Sequence, residues 1–174
     1  MNTLEAIFTR RSIRKFTDQE ISKELEQALI KAAMCAPNTI GNRDWAFVVV
    51  RDHDRIVALT DALKPHAPTL SNATMAVIAC GDLSLAIPSV LDFWIEDVSA
   101  ATENLLLAAH SEGLGGCWYG CYPFAHKVKN IQDLLKLPEN IVPMAVIGLG
   151  YPAESKRDDS DDKFEPAKIH YEEW

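Results

Sequence analysis

The chain lacks any apolar run near the roughly 18 residues needed to cross a bilayer. Glu5, Arg10 and Arg11 occupy the stretch where a secretion signal needs an uninterrupted apolar core, so the expected compartment is the cytoplasm. Cysteine is scarce. Cys117 and Cys121 are four apart but separated by the bulky Trp118-Tyr119-Gly120, and Cys35 and Cys80 add no second pair at ligand spacing. His110 and His126 flank that region and make a metal site conceivable; buried or partly exposed free thiols are the simpler expectation, and no metal site is assigned. No Ser/His/Asp or Cys/His arrangement can be nominated, and neither Cys117 nor Cys121 has an evident activating partner. Repeats, low-complexity tracts and a second domain boundary are also missing, so residues 1–174 are expected to form one domain.

Cationic charge is the minority sign, with 17 Lys+Arg against 25 Asp+Glu and a net charge of −8. That balance argues against duplex nucleic acid as a partner, since such binding needs phosphate contacts spread over a surface. Against this background Arg10-Arg11-Ser12-Ile13-Arg14-Lys15-Phe16 stands out, with four basic residues in seven. Guanidinium groups grip phosphate oxygens bidentately and a serine hydroxyl adds a donor, so a phosphate is the obvious partner; a solvated basic face is the plainer alternative. The cluster follows Leu4, Ala6, Ile7 and Phe8, which have a helical period, and Phe16-Thr17-Asp18 reads as the start of a second helix. The cluster is therefore expected at a helix-to-helix junction.

An apolar content of 48% against 24% charged residues suits a soluble protein with a full core. Ser22 is a good N-cap for a helix whose Leu25, Ala28, Leu29, Ala32 and Ala33 form one stripe, and Pro37 stops it near Cys35. The loop 37–44 is rich in turn formers. Trp45–Val50 and Met75–Cys80 read as buried strands covered on both faces. Between them Asp52 or Asp54 caps a helix that ends before Pro65, and 65–68 is irregular. Residues 93–111 carry the longest helical pattern, apolar over so much of its circumference that it belongs in the centre of a domain or in a dimer interface. Gly115 to Gly120 reads as a short strand or turn that something approaches closely. A helix over 124–136 and a strand over 142–150 follow, with Pro143 tolerable only at an end or an edge. The segment 151–174 is highly charged yet ends in Ile169, Tyr171 and Trp174, which suits docking on another surface. Strands interleaved with helices make a three-layer α/β or α+β domain.

Several segments together resemble the FMN-dependent nitroreductase family. They are the basic cluster, Ala36-Pro37-Asn38 to Asn42 followed by Trp45, the helix Ala100 to Ala109, Gly113-Leu114-Gly115-Gly116-Cys117-Trp118, and Gly150-Tyr151-Pro152-Ala153-Glu154. They occur in the family's order over nearly the whole chain. The resemblance implies an α+β fold with a central, mainly antiparallel sheet flanked by helices. It also implies a homodimer with FMN at the interface and a C-terminal extension, 151–174, embracing the partner subunit. By position Arg10, Arg11 and Ser12 would contact the FMN phosphate and ribityl chain, and Arg14 the pyrimidine edge, where a cation stabilises charge on reduction. Pro37, Asn38 and Asn42 match the loop set against the flavin from the other subunit. Tyr119, Gly120 and Cys121 fall where backbone amides approach N5, and Lys156 and Arg157 where a late basic residue returns to the phosphate, with Lys163 a rival. The family's Asn-x-Gln-Pro-Trp is replaced here by Asn42-Arg43-Asp44-Trp45, which puts that loop's flavin contacts in question.

The resemblance further implies an oxidoreductase in which NAD(P)H reduces bound FMN, which in turn reduces an electron-poor small molecule such as a nitroaromatic or quinone by a ping-pong scheme. The rivals are dehalogenation or flavin fragmentation on the same fold, a non-catalytic FMN-binding module, and a plain phosphate-binding domain.

Overall fold

The computed structural model describes residues 1–156 and 163–174. Its centre is an antiparallel sheet of four strands, β1 (Trp45–Val50), β2 (Met75–Asp82), β3 (Gly115–Gly120) and β4 (Ile141–Gly150), in the order β1-β2-β4-β3. Alternation along β2 explains why the sheet is covered twice. Met75, Val77 and Ala79 enter one core with α2 (Lys23–Met34) and α4 (Phe93–Ser111). Ala76, Ile78 and Cys80 enter the other, beneath α3 (His53–Ala62) and α5 (Ala125–Leu135). The result is a three-layer α+β arrangement, one of the two classes the pattern left open and the one the resemblance implies.

The helix boundaries follow local chemistry. Ser22 caps α2 by accepting from the Leu25 N–H at 3.1 Å, and Asp52 caps α3 by accepting from the Arg55 N–H at 2.9 Å. Gly113, just beyond α4, takes φ +81°, the left-handed turn that a glycine provides without strain. α4 buries Trp94, Val98, Ala101, Leu105, Leu106 and Ala109 against the sheet, as its apolar circumference predicts.

Three expectations are corrected. Residues 16–18 do not begin a helix. After the short α1 (Thr3–Thr9) the basic segment runs extended, and its Ile13 N–H donates to the Gly116 carbonyl at 3.1 Å. The Thr17 N–H then donates to Tyr151 O, and the Ala153 N–H to Lys15 O, at 2.8 and 2.9 Å. The cluster therefore laces the start of β3 to the end of β4. β1 is an edge strand, and its four middle residues are half-buried, so only β2 has the two-sided cover expected of both. Pro143 lies in β4, an inner strand; it pairs with Cys80 where the β2–β4 register shifts, a bulge that removes the need for its missing N–H.

The close approach anticipated at the glycines is made by the chain itself. A Cβ on Gly115 would lie 2.6 Å from the Ile13 Cβ, and one on Gly150 would lie 2.9 Å from the Phe16 Cβ. Bare backbone at these two positions lets the basic segment cross the end of the sheet.

Candidate active site

The crossing fixes the cationic side chains. Arg10 Nε pairs with Glu103 Oε1 on α4 at 3.3 Å. Arg11 donates to the carbonyls of Phe8 and Arg10, both at 2.7 Å, which orders the turn after α1. The Arg14 N–H donates to Glu154 Oε1 at 2.7 Å, and Asn72 Nδ2 donates to the Arg14 carbonyl at 3.0 Å, so that backbone is clamped from two elements. Glu154 Oε2 also meets Lys156 Nζ at 3.0 Å. The Arg14 N–H, followed by Lys156, holds the exposed Glu154 carboxyl below the usual carboxylate range.

The late lysine is thereby delivered to the early arginines. Arg11, Ile13, His110, Glu154 and Lys156 line one cleft of about 300 Å³. Lys163 is exposed in the tail, and Arg157 lies outside the described residues. Thr9, His110 and Glu154 contribute to this cleft although the sequence alone assigns none of them a part in binding phosphate; they meet only because α1, the end of α4 and the segment after β4 converge there.

The other candidate residues lie elsewhere in the chain. Loop 37–44 precedes β1 at Trp45, opposite Gly81, whereas the basic segment crosses at Gly115 and Gly150, the other end of the sheet. Asp97 of α4 anchors the loop, accepting the Thr39 N–H at 2.9 and 3.0 Å and the Thr39 hydroxyl at 3.2 Å. Some 20 Å of helix, at 1.5 Å per residue, separates Asp97 from His110. Asn38 accepts from the Arg43 N–H at 3.0 Å, and Asn42 donates to the Leu85 carbonyl, so both amides hold the loop's own shape. Pro37, Ile40, Gly41 and Arg43 are its exposed members. Tyr119 and Gly120 end β3. Tyr119 OH bonds Thr69 Oγ1 at 2.8 Å, and burial pushes the phenol up. Cys121 is buried, its N–H donates to Met144 O at 2.9 Å, and burial pushes its thiol up to about 12, which makes it a poor nucleophile. Gly120 is the exposed member of that window.

Asp44, buried beneath the loop, has an oxygen, Oδ1, without a hydrogen-bond partner among the described residues. Burial, and then the neighbouring Asp97, raise its carboxyl above the usual range. A carboxyl raised in the folded state costs stability once pH exceeds its folded pKa, and that cost vanishes as pH falls below the unfolded value of about 4. Asp44→Asn keeps an acceptor for Asn42 and gives Asp97 a donor. The variant is expected to raise the urea midpoint above wild type at pH 7, with the gap closing toward pH 4; equal midpoints at pH 7 would contradict this account.

The donor set suits the cofactor that the resemblance implies. A cleft lined by Arg11, His110 and Lys156, with Arg14 exposed beside it, suits the doubly charged phosphate and long polar stem of FMN. Among the described residues no group of three or more His, Cys, Asp or Glu could hold a metal, and all four cysteines are free thiols. No helix there is long and apolar enough to cross a membrane.

A sheet of this order, sandwiched by helices and crossed at one end by an arginine segment, defines a three-layer α+β class of protein with a cationic cleft at one end of its sheet. The nitroreductase family model matches residues 7–80 and 91–151, and the chain belongs to the nitroreductase family. It is 43% identical over 174 residues to a protein of Methanothermobacter thermautotrophicus provisionally named an NADH dehydrogenase/NAD(P)H nitroreductase, covering 100% of this chain and 88% of that one. An FMN-dependent nitroreductase structure from Clostridium difficile superposes with a TM-score of 0.91 at 32% identity, covering 98% of this chain and 99% of that one. A Bacillus subtilis FMN reductase (NADPH) is 28% identical over 168 residues, spanning 87% of this chain and 66% of the relative.

Proposed function

We propose that the protein is an NAD(P)H-dependent FMN oxidoreductase that reduces an electron-poor small molecule, such as a nitroaromatic or a quinone, by a ping-pong scheme. The observation that carries this reading is the convergence of Arg11 and Lys156, from opposite ends of the chain, on one cleft. When bound, FMN supplies the redox chemistry, taking a hydride from the nicotinamide and handing reducing equivalents to the acceptor.

The chain's part is to bind, orient and exclude water. Arg10, Arg11, Ser12 and Lys156 hold the phosphate and stem. Arg14, with its backbone clamped by Glu154 and Asn72, presents an exposed guanidinium where negative charge develops on reduction. Loop 37–44 and the phosphate cleft are at opposite ends of one sheet, which favours a homodimer in which each loop closes the partner's site. The exposed Leu4, Ile7 and Phe8 of α1, and the exposed Phe164, Tyr171 and Trp174 of the tail, supply apolar surface for such an interface.

The test is the visible spectrum of the purified protein before and after anaerobic addition of NADH or NADPH. Flavin bands near about 370 and 450 nm that bleach on addition are expected. Flavin reduced by dithionite but not by either nicotinamide would point to a binding module or to a different activity on this fold. Colourless protein that FMN cannot reconstitute would overturn the cofactor reading altogether.

A further inference from the structure

The geometry points to His110 as a further binding residue for the cofactor phosphate, one that takes up a proton as the phosphate seats between Arg11 and Lys156. This rests on the FMN reading above and deepens it.

The argument begins with one hydroxyl. Thr9 Oγ1 lies 2.7 Å from the Glu5 carbonyl and 2.7 Å from His110 Nε2. A carbonyl can only accept, so the single hydroxyl proton of Thr9 goes to Glu5 O. His110 Nε2 must therefore carry a proton and donate to Thr9. That fixes the tautomer: in the neutral ring Nδ1 is the bare nitrogen, and it makes no hydrogen bond among the described residues. Protonation of Nδ1 turns the ring into a cation with an unengaged donor, in the cleft it shares with Arg11 and Lys156.

The surrounding charges set when this happens. From α1 and the segment after it, Glu5, Arg10 and Arg11 act on the ring, and Arg10 is itself paired with Glu103 of α4. Glu154 and Lys156 face it across the cleft, Met1 lies at the rim, and Glu112 follows on its own element. Burial first, and then Arg10 and Arg11, hold the imidazole below its usual range, so the ring is neutral at pH 7 while no phosphate is bound. A phosphate there offsets the two arginines and adds opposite charge at short range, both of which favour the imidazolium. The last turn of α4, with its outward carbonyls, favours a cation as well.

The sign follows from linkage. The pKa is higher in the bound state, so the gain in affinity is present below the free-state pKa and is lost as pH rises through the bound-state value. Riboflavin, which lacks the phosphate, has no such dependence. The phosphate's own second ionisation, near pH 6, releases protons on binding and so has the opposite sign.

The experiment is calorimetric titration of the apoprotein with FMN and with riboflavin at pH 7.5, in two buffers of different protonation enthalpy, for wild type and His110→Gln. Glutamine keeps a donor for Thr9. Wild type is expected to take up a fraction of a proton with FMN and none with riboflavin, and the variant none with either. The wild-type preference for FMN should fall several-fold more than the variant's between pH 6 and 8, part of the roughly tenfold that a full pKa unit is worth. FMN binding with equal proton uptake in wild type and variant, or equal uptake with riboflavin, overturns the proposal alone. The FMN–riboflavin comparison in wild type decides the matter even if the variant does not fold. Wild type that binds no FMN at any pH overturns the cofactor reading and this proposal with it.

Discussion

Replacing Arg11 with alanine is expected to weaken FMN binding by about 10- to 100-fold while changing riboflavin affinity much less. The range corresponds to the roughly 1.5–3 kcal/mol of a hydrogen bond to a charged group. Arg11 is the arginine of the cluster that lines the cleft with Lys156, and two of its donor contacts, to the Phe8 and Arg10 carbonyls, aim the guanidinium by fixing the turn beneath it. Quenching of flavin fluorescence measures both affinities. If Arg11→Ala weakens riboflavin as much as FMN, the residue contacts the ring or supports the fold, and its phosphate role is wrong. Raising the salt concentration should reduce the wild-type preference for FMN and have little effect on the variant's.

On the proposed homodimer, deleting residues 164–174 is expected to shift the protein from a two-copy species to a monomer and to strip it of FMN. The segment carries Phe164, Ile169, Tyr171 and Trp174, which are between 44% and 100% exposed in the single chain. A lone chain gains nothing from ordering such side chains in water. Buried on a partner they would contribute about 1.5–3 kcal/mol each, before the cost of association. With two tails per assembly, that sum is large enough to decide between one copy and two. Sedimentation of the truncated and full-length proteins at the same concentration reads the mass directly. A truncated protein that remains a dimer and keeps its flavin would assign the tail another purpose and leave α1 as the main interface.

The sequence carried the elements well because their causes are local. Ser22 and Asp52 cap the helices that their hydroxyl and carboxylate predicted, Gly113 turns the chain after α4, and the apolar runs at 45–50 and 75–80 became strands. The basic segment also announced itself, since four cations in seven residues are unusual in a chain of net charge −8. Its conformation did not. Nothing near Phe16 says that it will pair with residues 151–153, because those hydrogen bonds form only once the sheet is built. Asn38 and Asn42 show the converse: the composition of their loop suggested turn chemistry, the family pattern suggested flavin contact, and in the chain as folded their amides hold the loop.

By itself, then, the sequence determined the order of most of the helices and strands, the family, and which short segment carries the cations. Those properties depend on residue spacing, on capping side chains and on charge, all of which act within a few residues. The tertiary structure decided what the cations face. It placed Lys156 and His110 beside Arg11, set Asp97 beneath a loop at the other end of the sheet, and left Asp44 buried without a full set of partners. Each of these depends on contacts between residues far apart in the chain, which no local pattern of residues specifies.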